Sequence, residues 1–165
     1  MTYDLIIVGG GIGGSALAAV TARAGRSVLV LERTEVFEDR VRGEWIAPWG
    51  VREVKRLGLY DALVDAGGHH LATHVTYDET RAPADAEARA LPLGIGHPHH
   101  CQTLLDEAGR AGATVERGVT VDAVQTGGNP GARWTRADGS ATEASARLLV
   151  GADGRASQVR ETAGI

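Results

Sequence analysis

Gly9, Gly11 and Gly14 stand in the spacing Gly-x-Gly-x-x-Gly within the run Gly9-Gly10-Gly11-Ile12-Gly13-Gly14. Such a run suits close approach of backbone to a pyrophosphate. The first glycine permits a tight turn, the second admits the phosphates, and the third lets a helix pack onto a strand. Gly13 belongs to the same cradle. Glu32 follows 18 residues beyond Gly14, close to the ~20 at which an acid meets a ribose hydroxyl in sites of this type. An acid at that place disfavours a 2′-phosphate, which points away from NADP in this site. The competing reading is a glycine-rich turn with a surface glutamate, and the flanking elements decide between the two.

Those elements have the required order. Tyr3 to Val8 is a short, β-branched apolar run that predicts a buried parallel strand. Ser15 to Ala24 is rich in alanine, with Leu17 and Val20 three apart, and predicts a helix that Gly25 can close. Ser27 to Leu31 predicts a second strand ending on Glu32. Together these form a βαβ unit of about 30 residues with the glycines at its first turn. Farther on, Pro48 to Leu57 and Tyr60 to Val64 predict a pair of helices. His74 to Tyr77 and Arg89 to Leu93 are candidate strands of a separate small sheet, divided by the polar stretch from Asp78 to Ala88. Pro98 opens a helix that ends near Gly112. Beyond it the period changes to two, and Ala113 to Glu116, Val119 to Gln125, Ala132 to Arg136 and Thr142 to Ser145 read as a β-meander. Arg147 to Val150 is a further apolar strand leading into Gly151-Ala152-Asp153-Gly154.

Composition bounds the function classes. The chain has 165 residues, 17 Lys+Arg against 21 Asp+Glu and a formal net charge of −4. With 43% hydrophobic and 23% charged residues it reads as a globular chain, not a disordered or membrane-spanning one. The acidic balance weighs against nucleic acid as a partner, and no apolar run approaches the ~20 residues that span a bilayer. One cysteine, Cys101, allows no internal disulfide. The expected setting is therefore cytoplasmic. The 23 glycines are about twice the ordinary ~7%, and the turn accounts for several of them.

The order of fingerprint, acidic strand end, helices, meander and return strand resembles the FAD-binding domain of flavin-dependent aromatic hydroxylases and related monooxygenases of the glutathione-reductase-like class. The segment Gly151-Ala152-Asp153-Gly154-Arg155-Ala156-Ser157-Gln158-Val159-Arg160 is similar to that family's second signature. An Asp-Gly turn after a strand is its plainer reading. The resemblance implies an α/β fold, a Rossmann-like βαβ FAD-binding domain with an inserted β-meander. It implies FAD held by Gly9, Gly11, Gly13 and Gly14, with Glu32 at the ribose and Arg33 and Arg42 near the adenosine and phosphates. Val121 would meet the adenine through its backbone, and Asp153 and Gly154 the cofactor phosphates. For Arg33 and Arg42 a solvated surface role is the alternative. The implied activity is NAD(P)H-dependent insertion of one oxygen atom of O2 into a small organic substrate. A non-catalytic FAD- or ADP-binding fragment and an FAD-linked reductase or dehydrogenase are the other readings. No side chain stands out as a catalytic acid or base.

Family members continue into a Gly-Asp motif and further substrate-side structure, so residues 1–165 are expected to be a partial FAD-binding domain that stops before the substrate domain is complete. The stretch 68–96 is expected to contribute to a substrate-side sheet. Where the family places an arginine at the start of the helix before Leu104-Leu105-Asp106-Glu107, this chain has His97, whose neutral imidazole carries less charge than a guanidinium. His70 and His74 are spaced as a helical pair that could hold a metal, and His97, His99 and His100 form a second cluster, but no acid or cysteine stands at ligand spacing beside them, and solvent-facing or substrate-side histidines are the expectation. Trp45, Trp49, Trp134 and Cys101 are expected to pack.

Overall fold

A computed structural model describes residues 2–39, 45–72, 74–78, 81–86 and 91–165. In chain order its elements are β1 (Thr2–Val8), α1 (Ile12–Arg23), β2 (Val28–Glu32), β3 (Trp45–Ile46), α2 (Pro48–Arg56), α3 (Tyr60–Asp65), β4 (His69–His70), β5 (His74–Asp78), β6 (Arg81–Ala86), β7 (Leu93–Gly94), α4 (His97–Arg110), β8 (Thr114–Arg117), β9 (Thr120–Gln125), β10 (Gly131–Thr135), β11 (Ala141–Gly151) and α5 (Gln158–Thr162). They form two compact units, Met1–Glu38 with Cys101–Ile165, and Asp39–His100.

The first unit is built on a six-stranded sheet in the order β8-β2-β1-β11-β10-β9. β8, β2, β1 and β11 run parallel, while β9, β10 and the start of β11 pair antiparallel. Ile6, Ile7, Leu29 and Val30 are fully or almost fully buried, as expected for parallel strands covered on both faces. α1 presents Gly14, Ser15, Ala18, Ala19 and Ala22 to the interior, and these small residues let the helix lie close to the sheet. An ion pair between Arg23 of α1 and Glu107 of α4 joins the two helices at the surface. A second cluster, around Val119, Ala132, Trp134 and Ala146, packs the meander against Ile6, Val8 and Leu31.

Several predicted boundaries move. α1 begins at Ile12, so Gly13 and Gly14 form its first turn despite their low helix propensity, a tertiary override of local preference. β8 is not part of the meander: it lies parallel to β2 at the sheet edge. The two strands predicted at Thr142 to Ser145 and Arg147 to Val150 are one, since Ala146 between them is buried and continues the ladder. The first half of β11 pairs antiparallel with β10 and the second half parallel with β1.

In the second unit, β3, β7 and β4 form a three-stranded antiparallel sheet. The pair α2 and α3 buries Val51, Leu59 and Leu63. β5 pairs with β6, not with the predicted Arg89 to Leu93. A partner a few residues away closes a shorter loop at lower entropic cost, and Leu93 joins β7 instead. Trp134 is buried at 2% exposure, whereas Trp45 and Trp49 are 45% and 66% exposed and are not the buried packing residues expected. β4 and β5 are strands, so the helical His70 and His74 pair does not form. Among the described residues no helix is long and apolar enough to cross a membrane.

Candidate cofactor-binding turn

The carboxyl ends of β1, β2, β8 and β11 lie along one edge of the parallel sheet, with the strand order reversing about β1. A crevice at such a reversal is where open α/β sheets bind ligands. Gly9 to Gly14 leaves β1 there, Glu32 and Arg33 leave β2, and Ala152 to Gly154 leave β11. Two backbone bonds lock the edge: Gly9 N–H donates to the Leu31 carbonyl at 2.8 Å, and Ala152 N–H to the Val8 carbonyl at 2.7 Å.

The glycines of the turn divide into two kinds. Gly9 has φ +105°, and a Cβ on it would stand 2.3 Å from the Ala152 carbonyl oxygen; a Cβ on Gly14 would stand 2.0 Å from the Gly9 oxygen. Gly10 is confined too, with the Glu32 Cβ 2.9 Å from the position of its missing side chain. These three are required by the protein's own packing. Gly11 and Gly13 are not, because a Cβ on either meets nothing within 4 Å. Gly11 has φ −71° and ψ −170°, extended backbone open to any residue. The protein therefore gives no internal reason for glycine at Gly11, and the space beside it is free for a ligand.

α1 starts at this space. Its N-cap is Gly11, with no side-chain cap bond and no acid in the first turn. The unused N–H groups and the positive end of the helix dipole favour an anion. Gly10, Ser15, Glu32 and Ala152 fix the backbone around it. Glu32 is 8% exposed and accepts N–H bonds from Gly10 through Oε2 and from Thr34 through Oε1, both at 2.6 Å. A carboxylate has about four acceptor positions, so two remain for ribose hydroxyls. Beyond it, Arg117 ties down the chain after β2: its Nε donates to the Thr34 carbonyl at 3.3 Å, its Nη1 to Gln102 Oε1 at 2.8 Å, and its guanidinium lies 4.8 Å from the Phe37 ring centre.

The other predicted residues are placed as follows. Arg33 is exposed beside Glu32. Arg42 lies outside the described residues. Val121 sits on β9 opposite Trp134 and packs against the cluster that includes Val8 and Leu31. Asp153 turns its carboxylate to α5, not outward. Its Oδ1 accepts the Ser157 hydroxyl at 2.6 Å, and its Oδ2 accepts the Gln158 and Val159 N–H groups at 2.8 and 3.3 Å. Ser157 Oγ in turn caps α5 through the Arg160 N–H at 3.0 Å. What this segment offers a ligand is the exposed backbone at Gly154, φ +86°. Sequence reasoning missed Gly10, Ser15, Ala152 and Arg117. Gly10 and Ala152 sat inside recognised motifs, whereas Ser15 and Arg117 carried no local signal.

Comparisons with known proteins give the family and the fold. The chain matches the family described as FAD binding domain over residues 2–165. It is 32% identical over 173 residues to squalene epoxidase 5 of Arabidopsis thaliana, a match spanning 96% of this chain and 33% of the relative. It is 33% identical over 169 residues to dialkyldecalin synthase of Streptomyces rugosporus, spanning 100% of this chain and 35% of that protein. Among solved structures, OxyS anhydrotetracycline hydroxylase from Streptomyces rimosus superposes with a TM-score of 0.83 at 27% identity, over 100% of this chain and 34% of that one. The chain thus spans about a third of the length of these relatives.

Proposed function

The chain belongs to the FAD binding domain family, and from that premise we propose that it holds FAD at the Gly9–Gly14 turn as the cofactor-binding part of an NAD(P)H-dependent monooxygenase acting on a small organic substrate. The observation that carries the cofactor reading is Gly11: a glycine in a conformation any residue adopts, with nothing of the protein near its missing side chain. A pyrophosphate against that backbone supplies the reason for it.

In this reading each residue has a physical task. The first turn of α1 presents N–H groups to the pyrophosphate, where the absence of an acid leaves the charge of the phosphates unopposed. Glu32, already anchored by two backbone donors, keeps its remaining lone pairs for the ribose. Its negative charge excludes a 2′-phosphate. Arg33, exposed beside Glu32, would supply positive charge toward the adenosine and phosphates, the role the sequence also assigns to Arg42, and the β9 backbone at Val121 would meet the adenine. Asp153 acts at one remove, holding the start of α5 so that Gly154 stays exposed. When bound, FAD supplies the electron transfer and oxygen chemistry that no side chain of this chain can perform. NAD(P)H is the donor and the cytoplasm the compartment this reading fits.

A second reading, FAD held without insertion of oxygen, is favoured by the likeness, over the whole of this chain and 35% of the relative, to a protein named as a synthase. Titration of the purified chain with FAD, ADP and FMN, followed by flavin fluorescence and calorimetry, tests the binding reading. FAD and ADP should bind and FMN, which lacks the adenosine half, should not; a chain that binds neither FAD nor ADP refutes it. Incorporation of labelled O2 into product, in an enzyme that contains this chain, separates the two activities.

A further inference from the structure

Ser15 is fully buried at the second turn of α1. Its hydroxyl donates to the Gly10 carbonyl at 2.7 Å, while its own N–H donates to the Gly11 carbonyl at 2.9 Å. The neighbouring N–H of Gly10 is held by Glu32 Oε2 at 2.6 Å. Gly10 is therefore pinned on both sides, its N–H by a strand residue and its carbonyl by a helix residue. The carbonyl of Gly10 and the N–H of Gly11 belong to one trans peptide, in which the two groups point in opposite directions. Drawing that carbonyl inward onto Ser15 turns the Gly11 N–H away from Ser15. Two glycines flank this peptide, so without an anchor its plane has unusual freedom to rotate.

We infer that Ser15 is a positioning residue for the cofactor: its buried hydroxyl fixes the plane of the Gly10–Gly11 peptide so that the Gly11 N–H faces the pyrophosphate. The inference rests on the reading that this turn binds FAD and adds to it a residue outside the glycine fingerprint. Thr21, on the same helix, provides a contrast. Its hydroxyl also donates to a backbone carbonyl, that of Leu17 at 2.7 Å, but it lies away from the turn.

The test compares Ser15→Ala, Ser15→Cys and Thr21→Val in the purified chain, by FAD and ADP titration, thermal unfolding and 31P resonances of bound ADP. Ser15→Cys fills the place of the hydroxyl with a slightly larger and weaker donor, and so guards against a cavity defect in the alanine variant. Both Ser15 variants should weaken FAD and ADP by about tenfold, the consequence of freeing one buried hydrogen-bonded group, and should shift the 31P resonances. Thr21→Val should change neither affinity. Unchanged affinity in both Ser15 variants, or an equal loss in Thr21→Val, overturns the inference alone. Failure of the unsubstituted chain to bind FAD or ADP overturns the inference together with the reading on which it rests.

Discussion

His100 makes the stability of this chain depend on pH in a calculable way. It lies in the first turn of α4, is 8% exposed, and its Nε2 has no hydrogen-bond partner among the described residues. Burial pushes its imidazole down to about 4 from the ordinary 6.5, with the charge of His97 adding to the shift. The folded chain therefore keeps His100 neutral where the unfolded chain protonates it. Since the folded value lies below the unfolded one, stability is complete above about pH 6.5 and falls as the pH drops toward 4. The cost is about 2 kcal/mol at pH 5, rising to about 3 kcal/mol below pH 4. His100→Leu removes the titration and the unpartnered nitrogen at similar volume. Urea unfolding of both proteins between pH 7.5 and pH 5 measures the difference. The parent chain should lose about 2 kcal/mol more than the variant over that range. Equal losses would refute a buried, neutral His100.

Gly14→Ala forces a Cβ to within 2.0 Å of the Gly9 oxygen and should cost more than ~3 kcal/mol, at the upper end of overpacking penalties; thermal unfolding reads it directly. Arg136 donates to both oxygens of Glu116, at 2.8 and 2.7 Å, and holds that carboxyl below its usual value. A depressed carboxyl contributes stability above its unfolded pKa and loses it as the pH falls through the folded one. Arg136→Met should therefore lower stability slightly near neutrality, as expected of a solvent-screened ion pair, and progressively less below about pH 4.5. A difference that persists undiminished in acid would show that the pair's charge is not its source.

Much of the fold was legible because its signals are local. The apolar run into β1, the alanine-rich face of α1 and the acid at the end of β2 repeat with the periods their elements demand, and all three formed. The meander's extent was less legible. β8 and β9 are both short strands of mixed polarity, and only the pairing of β8 with β2, more than 80 residues away in sequence, separates them. The partner of β5 was misassigned because Arg81–Ala86 is polar and alanine-rich, and weak in strand propensity. At the turn, Gly9 and Gly14 could be read from spacing alone. The reasons for Gly10 and Ser15 could not, since they lie in a strand end and a carbonyl that only the folded chain brings within reach. Asp153 shows the same limit: its motif was visible, but its carboxylate is directed to α5.

The most direct test of the cofactor site is Gly11→Ala. The added methyl meets no atom of the protein within 4 Å and the backbone there is extended, so the variant should unfold at the temperature of the parent chain or slightly above it, given alanine's smaller conformational entropy loss. The same methyl would stand against a pyrophosphate, and FAD affinity should fall by at least about tenfold, a loss of ~1.4 kcal/mol. Parent-like stability with weakened FAD and ADP binding is the result predicted. Parent-like stability with parent-like affinity would contradict the placement of the cofactor at this turn.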